Sequence, residues 1–124
     1  MVFTYKSNYF EFDQDDPLAP LLYCIYEMIV GGNDLELYLR GTIGKDIMEP
    51  VGGDPGWNLV PEIQEDGRYL YMAWVWEEMG VEPSEGKYEE DVVKLHIRKG
   101  LENVLKEQPD RRQEIESIFS KYDL

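Results

Sequence analysis

The chain holds one cysteine and one histidine in 124 residues. Cys24 alone cannot form an intramolecular disulfide, so a cross-linked scaffold is excluded. A zinc site needs about four ligands, and only Cys24 and His96 supply the softer kind. No metal or cofactor is therefore expected. Basic residues are scarce too: 12 Lys and Arg face 26 Asp and Glu, a formal charge of −14 at pH 7. Nucleic acids and anionic membranes recruit Lys and Arg, which argues against either as a direct partner. Long apolar runs are also missing. The longest, Leu18 to Tyr26, is interrupted by Pro20 and closed by Glu27, well short of the roughly 20 residues that span a bilayer. The opening residues, Met1-Val2-Phe3-Thr4-Tyr5-Lys6, lack the basic and apolar regions of a secretory signal. A soluble cytoplasmic protein is the expectation.

What the chain does have is hydrophobic content of 43% and aromatic content of 13%, enough for a packed core rather than disorder. Its length suits one domain, residues 1–124, able to bury about two-thirds of its unfolded surface. The acidity is uneven. Residues 1–39 carry one base against seven acids, and residues 40–61 two against three. Residues 62–91 carry two against ten, whereas residues 92–124 carry seven against six. The negative field thus comes from everything but the tail.

Residues 2–13 read as strand, either a hairpin in which Lys6-Ser7-Asn8 turns Val2–Tyr5 back onto Tyr9–Phe12 or one longer strand. Asp15 or Asp16 then caps a helix with Pro17 in its first turn. Leu18, Leu21, Leu22, Ile25, Met28 and Ile29 form its inner face, and Gly31-Gly32 ends it. Leu35, Leu37 and Leu39 alternate with polar residues, which predicts a strand over Asp34–Ile43. Residues 44–61, with Pro50, Pro55, Pro61 and Gly52-Gly53-Asp54-Pro55-Gly56, read as a loop holding at most a short element at Asp46–Met48. Asp66-Gly67 marks a turn into an Arg68–Trp76 strand; a helix there would make the protein all-α. Glu89, Glu90 and Asp91 suit a helix start, followed by the stripe Val93, Ile97, Leu101, Val104 and Leu105. Gly100 inside that helix costs about 1 kcal/mol against Ala and invites a kink. After Pro109, Asp110 and Gln113 form a capping-box pattern for a last helix, whose inner face is Ile115, Ile118, Phe119 and Tyr122. The predicted fold is α+β: a small antiparallel sheet packed against one N-terminal helix and two C-terminal helices.

The chain offers few groups for catalysis. Cys24 lies on the apolar face of the first helix, where thiols are inert. His96 sits at the edge of the tail stripe with no serine in a strained turn to serve. Gly41-Thr42-Ile43-Gly44-Lys45 lacks the earlier glycine of a phosphate loop, and Asp46 replaces its Ser/Thr. Asp13, Asp15 and Asp16 lack the glycine of a calcium loop. Glu77 and Glu78 are adjacent, so they point apart rather than together as an acid–base pair. No catalytic residue is assigned and an enzyme is not expected.

The remaining signal is a run of aromatics entering an acidic segment: Tyr71, Trp74, Trp76, Glu77, Glu78, Glu82, Glu85, Glu89, Glu90 and Asp91. Aromatic anchors ringed by charge supply affinity and steering at protein interfaces. The competing reading places both tryptophans in the core and leaves the acids as a solvated face. In size, acidity, aromatic content and lack of catalytic groups the chain is similar to bacterial immunity proteins, a likeness of composition that rests on no motif and transfers no residue. That resemblance implies an inhibitor of a toxin; separately, the acidity suits a basic partner such as a nuclease, and a monomer or dimer is expected. A nucleic-acid mimic of the anti-defence kind, or an adaptor or enzyme with incidental acidity, are the alternatives. The charge-balanced tail weighs against the mimic, which should be acidic throughout.

Overall fold

In the computed structural model, residues 3–7, 10–30, 35–46, 51–53 and 56–124 are described. The architecture is α+β, with two antiparallel sheets and four helices among the described residues. Strands β1 (Thr4–Lys6) and β2 (Glu11–Asp13) form the predicted hairpin, with Tyr5 opposite Phe12. Tyr5 stacks on Phe12 at 5.0 Å between ring centroids and meets Tyr23 edge-on at 5.4 Å, which seats the hairpin on α1 (Ala19–Val30). Asp16 shapes the helix entry: its carboxylate accepts the Leu18 N–H at 2.8 Å and its carbonyl accepts that of Ala19 at 2.8 Å. Pro20, rather than Pro17, occupies the first turn, where its missing amide costs nothing. The helix is buried almost all round from Ala19 to Ile25, because it runs between the sheet, the hairpin and α3 (Glu90–Glu107). Gly31 and Gly32, the predicted stop, lie outside the described residues.

The strand predicted over Asp34–Ile43 is instead helix α2 (Leu35–Gly41). Leu-x-Leu-x-Leu fits both periods. A strand would put all three leucines on one face, whereas Leu35 and Leu39, one helical turn apart, are buried and Leu37 is exposed. The Asp46–Met48 element falls largely outside the described residues.

The predicted 44–61 loop also yields to structure. Gly52–Gly53 (β3) and Trp57–Ile63 (β4) pair, and β4 pairs in turn with β5 (Tyr69–Val75). β5 bears out the predicted strand, with Tyr71, Ala73 and Val75 buried on one face. The last strand, β6 (Glu85–Glu89), has the sequence EGKYE and offers no apolar alternation to predict it. The order β3-β4-β5-β6 makes a four-stranded antiparallel sheet separate from the hairpin. Its inner face packs on α1, with α3 against β5 and β6.

Gly100 does not break α3, which continues through it. A Cβ there would fall closer than 3.0 Å to Ile29 Cδ1 and 3.2 Å from Phe10 Cδ2. The glycine thus lets α3 approach α1. The expected Asp110–Gln113 capping box is absent: Pro109–Arg111 form a 3₁₀ turn, and α4 (Arg112–Lys121) begins without a side-chain cap. Arg111 instead clamps Glu114 in two hydrogen bonds of 3.0 and 2.8 Å. Ile115, Ile118 and Tyr122 are buried as predicted, with Phe119 partly so. Among the described residues, no helix is long and apolar enough to cross a membrane.

Candidate functional site

Alternation along β5 decides which aromatic residues reach the surface. Tyr71 shares the inner face and is fully buried, so it is removed from the predicted interface. Its hydroxyl donates to Glu90 Oε1 at 3.2 Å, and burial with that carboxylate pushes its pKa up. Trp74 has the opposite parity. It is 36% exposed and Trp76 is 43% exposed, whereas Trp57 is 3% exposed in the core. The reading that placed both tryptophans inside is therefore overturned. The Trp76 N–H donates to Gly56 O at 2.9 Å, and a Cβ on Gly56 would lie 3.0 Å from Trp76 Cβ. Gly56, at φ 140°, is the residue that admits this ring.

The acids around these rings come from two elements. Glu77 and Glu78 sit on the exposed 3₁₀ turn Glu77–Met79, closed by Gly80 at φ 74°. Glu82 and Glu85 are exposed on the far side of the Val81 anchor, with Glu85 directly opposite Trp74 in the sheet. Among the described residues, no salt bridge reaches Glu77, Glu78, Glu82 or Glu85.

The rest of the predicted segment forms a second cluster, about 13 Å away along β6 by strand rise. There Glu89 pairs with Arg68 at 3.3 Å, and Arg68 also binds Asp66 at 2.7 Å. Glu90 is paired with Lys45. Burial alone would raise the Glu90 pKa, but the hydrogen bonds from Lys45 and Tyr71 outweigh it and hold it below the usual carboxylate value. Asp91 is exposed at the start of α3 and accepts the Val92 N–H at 2.9 Å. These three line a shallow depression of about 490 Å³ with Gly67, Arg68 and Tyr69. The chain's own cations already answer much of this cluster's charge, and the tryptophan cluster has no such answer.

A contribution the sequence did not signal comes from Gln14, in the turn after β2. Its side-chain amide donates to Gly80 O and accepts the Phe3 N–H at 2.6 Å. Its backbone carbonyl accepts the Glu82 N–H at 2.9 Å. Tyr5 adds a hydroxyl bond to Met79 O at 2.7 Å. The hairpin is thereby tied to the acidic turn through the residue that lies between the exposed Asp13 and Asp15.

The groups weighed for catalysis are dispersed. The Cys24 thiol is fully buried and donates to Asn58 O at 3.2 Å, and burial pushes its pKa far up. Among the described residues, its hydrogen-bond partners are the backbone carbonyls of Asn58 and Trp74. His96 is half-buried beside Asp16, Lys99 and Asn103 in a different part of the fold. In Gly41–Lys45, Thr42 bonds back to Tyr38 O at 2.8 Å and Lys45 is spent on Glu90. Among the described residues, no group of three or more His, Cys, Asp or Glu is placed to hold a metal ion. Compared with family models, curated proteins and solved structures, the chain matches none.

Proposed function

We propose that this protein binds and neutralises a basic protein partner, in the manner of an acidic immunity protein, through Trp74 and Trp76 with Glu77, Glu78, Glu82 and Glu85. The observation that supports this most is the coexistence of two exposed indoles with four carboxylates that, among the described residues, no salt bridge reaches. Unpaired like charges repel one another in the free protein, and a complementary cationic surface relieves that repulsion on docking. Their field accelerates encounter, and desolvated tryptophans slow dissociation. Glu89, Glu90 and Asp91 stand at the periphery of this surface rather than at its centre.

The test is reversal of Glu77, Glu78 and Glu82 to Lys, which changes local charge by about six units on exposed positions that tolerate substitution. Capture of basic proteins from the host extract at low and high salt, followed by association kinetics with the protein retained, gives the readout. Association should slow markedly and lose most of its salt dependence, because charge attraction is screened beyond about 8 Å. Reversal of Glu114 and Glu116, in the charge-balanced tail, should matter less. Equal weakening by both sets, or by neither, rejects the assignment.

A further inference from the structure

The two edges of the four-stranded sheet are built differently. On β4, Leu59 N–H donates to Val51 O at 3.0 Å, so alternate residues from Leu59 aim their amides toward the β3 side. The next in that series is Pro61, which has no N–H and lies beyond the end of β3. Past the end of β3, β4 therefore offers no amide at that position. On β6 the alternation is set by Val75 N–H donating to Ser84 O at 2.8 Å. Gly86 and Tyr88 therefore turn their backbone groups toward β5, and Glu85, Lys87 and Glu89 turn theirs away. Among the described residues, no further strand pairs with the outward groups of Glu85 and Lys87 or with the Glu89 amide, whereas the Glu89 carbonyl, at the N-cap of α3, enters the first turn of that helix. The side chains of Glu85, Lys87 and Glu89 are exposed, and no proline interrupts the strand.

We propose that the outer edge of β6 takes an extended basic segment of the partner by strand addition, a deeper statement of the partner reading above and dependent on it. Strand addition supplies main-chain hydrogen bonds, and alternate side chains give selectivity. The segment that fits carries Lys or Arg opposite Glu85 and Glu89, and a neutral or acidic residue opposite Lys87. Selectivity should be strongest at Glu85, which has no cation of its own. Glu89 is shared with Arg68 at 3.3 Å, and Lys87 is already drawn to Glu62 at 3.7 Å across the sheet. A second copy of the chain fits poorly. Two-fold pairing about Lys87 sets lysine against lysine and Glu85 against Glu89, and each copy carries a charge of −14.

The experiment titrates a short synthetic peptide with Lys at every fourth residue and Val or Thr between, in the pattern Lys-Val-Thr-Val-Lys, into the full chain at low salt. A second peptide of the same sequence is N-methylated on the backbone amides that would face β6, which keeps its charge and removes those hydrogen bonds. Amide exchange at Glu85, Lys87 and Glu89 should slow on binding, and the methylated peptide should bind about tenfold more weakly or worse. Lys87→Pro removes one outward amide without touching the β5 ladder, and should weaken the unmodified peptide to a similar degree. If that variant fails to fold, the methylated peptide tests the same bonds on the unaltered chain. Equal binding of both peptides, or binding without protection of the three amides, overturns strand addition. The partner reading then survives on the tryptophan surface, where reversal of Glu77, Glu78 and Glu82 judges it separately. Failure of the unmodified peptide to bind also overturns strand addition, as does a dimeric free chain that Lys87→Pro makes monomeric.

Discussion

Replacing Gly100 by alanine sets two effects of opposite sign against each other. Alanine favours a helix interior by about 1 kcal/mol over glycine. Its Cβ, however, would lie closer than 3.0 Å to Ile29 Cδ1, in the seam where α3 crosses α1. Ile29 is buried, so its terminal methyl must rotate into occupied space. Overpacking of that kind costs about 1–3 kcal/mol, which leaves Gly100→Ala destabilising by about 1 kcal/mol net. Ile29→Val deletes the offending methyl and by itself costs about 0.5–1.5 kcal/mol. In that background only Phe10 Cδ2, at 3.2 Å, must yield, by a few tenths of an ångström. Gly100→Ala should then stabilise by about 0.5–1 kcal/mol, which makes the coupling between the two sites about 2 kcal/mol. Urea unfolding of the four proteins, compared at their midpoints with unchanged slopes, measures it. If Gly100→Ala stabilises equally with Ile or Val at 29, the close approach of the helices is not what the glycine serves.

Three further outcomes are expected. Cys24 should resist thiol reagents in the native state and label at the rate of global unfolding, read by mass spectrometry across a urea series. His96 should titrate below its ordinary value, because burial and then Lys99 disfavour its charged form more than Asp16 favours it. The unfolded chain then takes up that proton first, so this contribution to stability is full above about pH 6.5 and is lost as pH falls toward the folded value. NMR of the imidazole gives the midpoint, and His96→Gln should flatten the corresponding slope in urea midpoints. Caesium should quench Trp74 and Trp76 more efficiently than iodide, since the surrounding carboxylates attract one ion and repel the other. Reversing Glu77, Glu78 and Glu82 to Lys should invert the contrast, and Trp57→Phe should leave it in place.

The legible parts of the sequence were those where one period dominated. Leu18 through Ile29 and Val93 through Val104 repeat at helical spacing, and their inner faces are where that spacing puts them. Tyr69–Val75 is rich enough in aromatic and β-branched residues to declare a strand. Leu35, Leu37 and Leu39 satisfy two periods, and packing against the core chose the helix. β4 was hidden by Pro61, which an open edge tolerates, and β6 by a glycine and three charges. Within the candidate surface, strand parity alone separates Tyr71 from Trp74. The tie between the hairpin and the acidic turn depends on Gln14 meeting Gly80 and Glu82, a long-range contact with no local sequence signal.

That same glutamine has a mechanical consequence. One residue, lying outside the charged surface, joins Phe3 at the chain's beginning to Gly80 and Glu82 far along it. The hairpin and the turn then open together or not at all, as a single cooperative unit rather than two loose flaps. A partner meets carboxylates whose backbone is already ordered, and the entropy of arranging them is spent during folding instead of during binding. Cutting the strap would leave every charge in place and still give a softer, slower-to-organise surface.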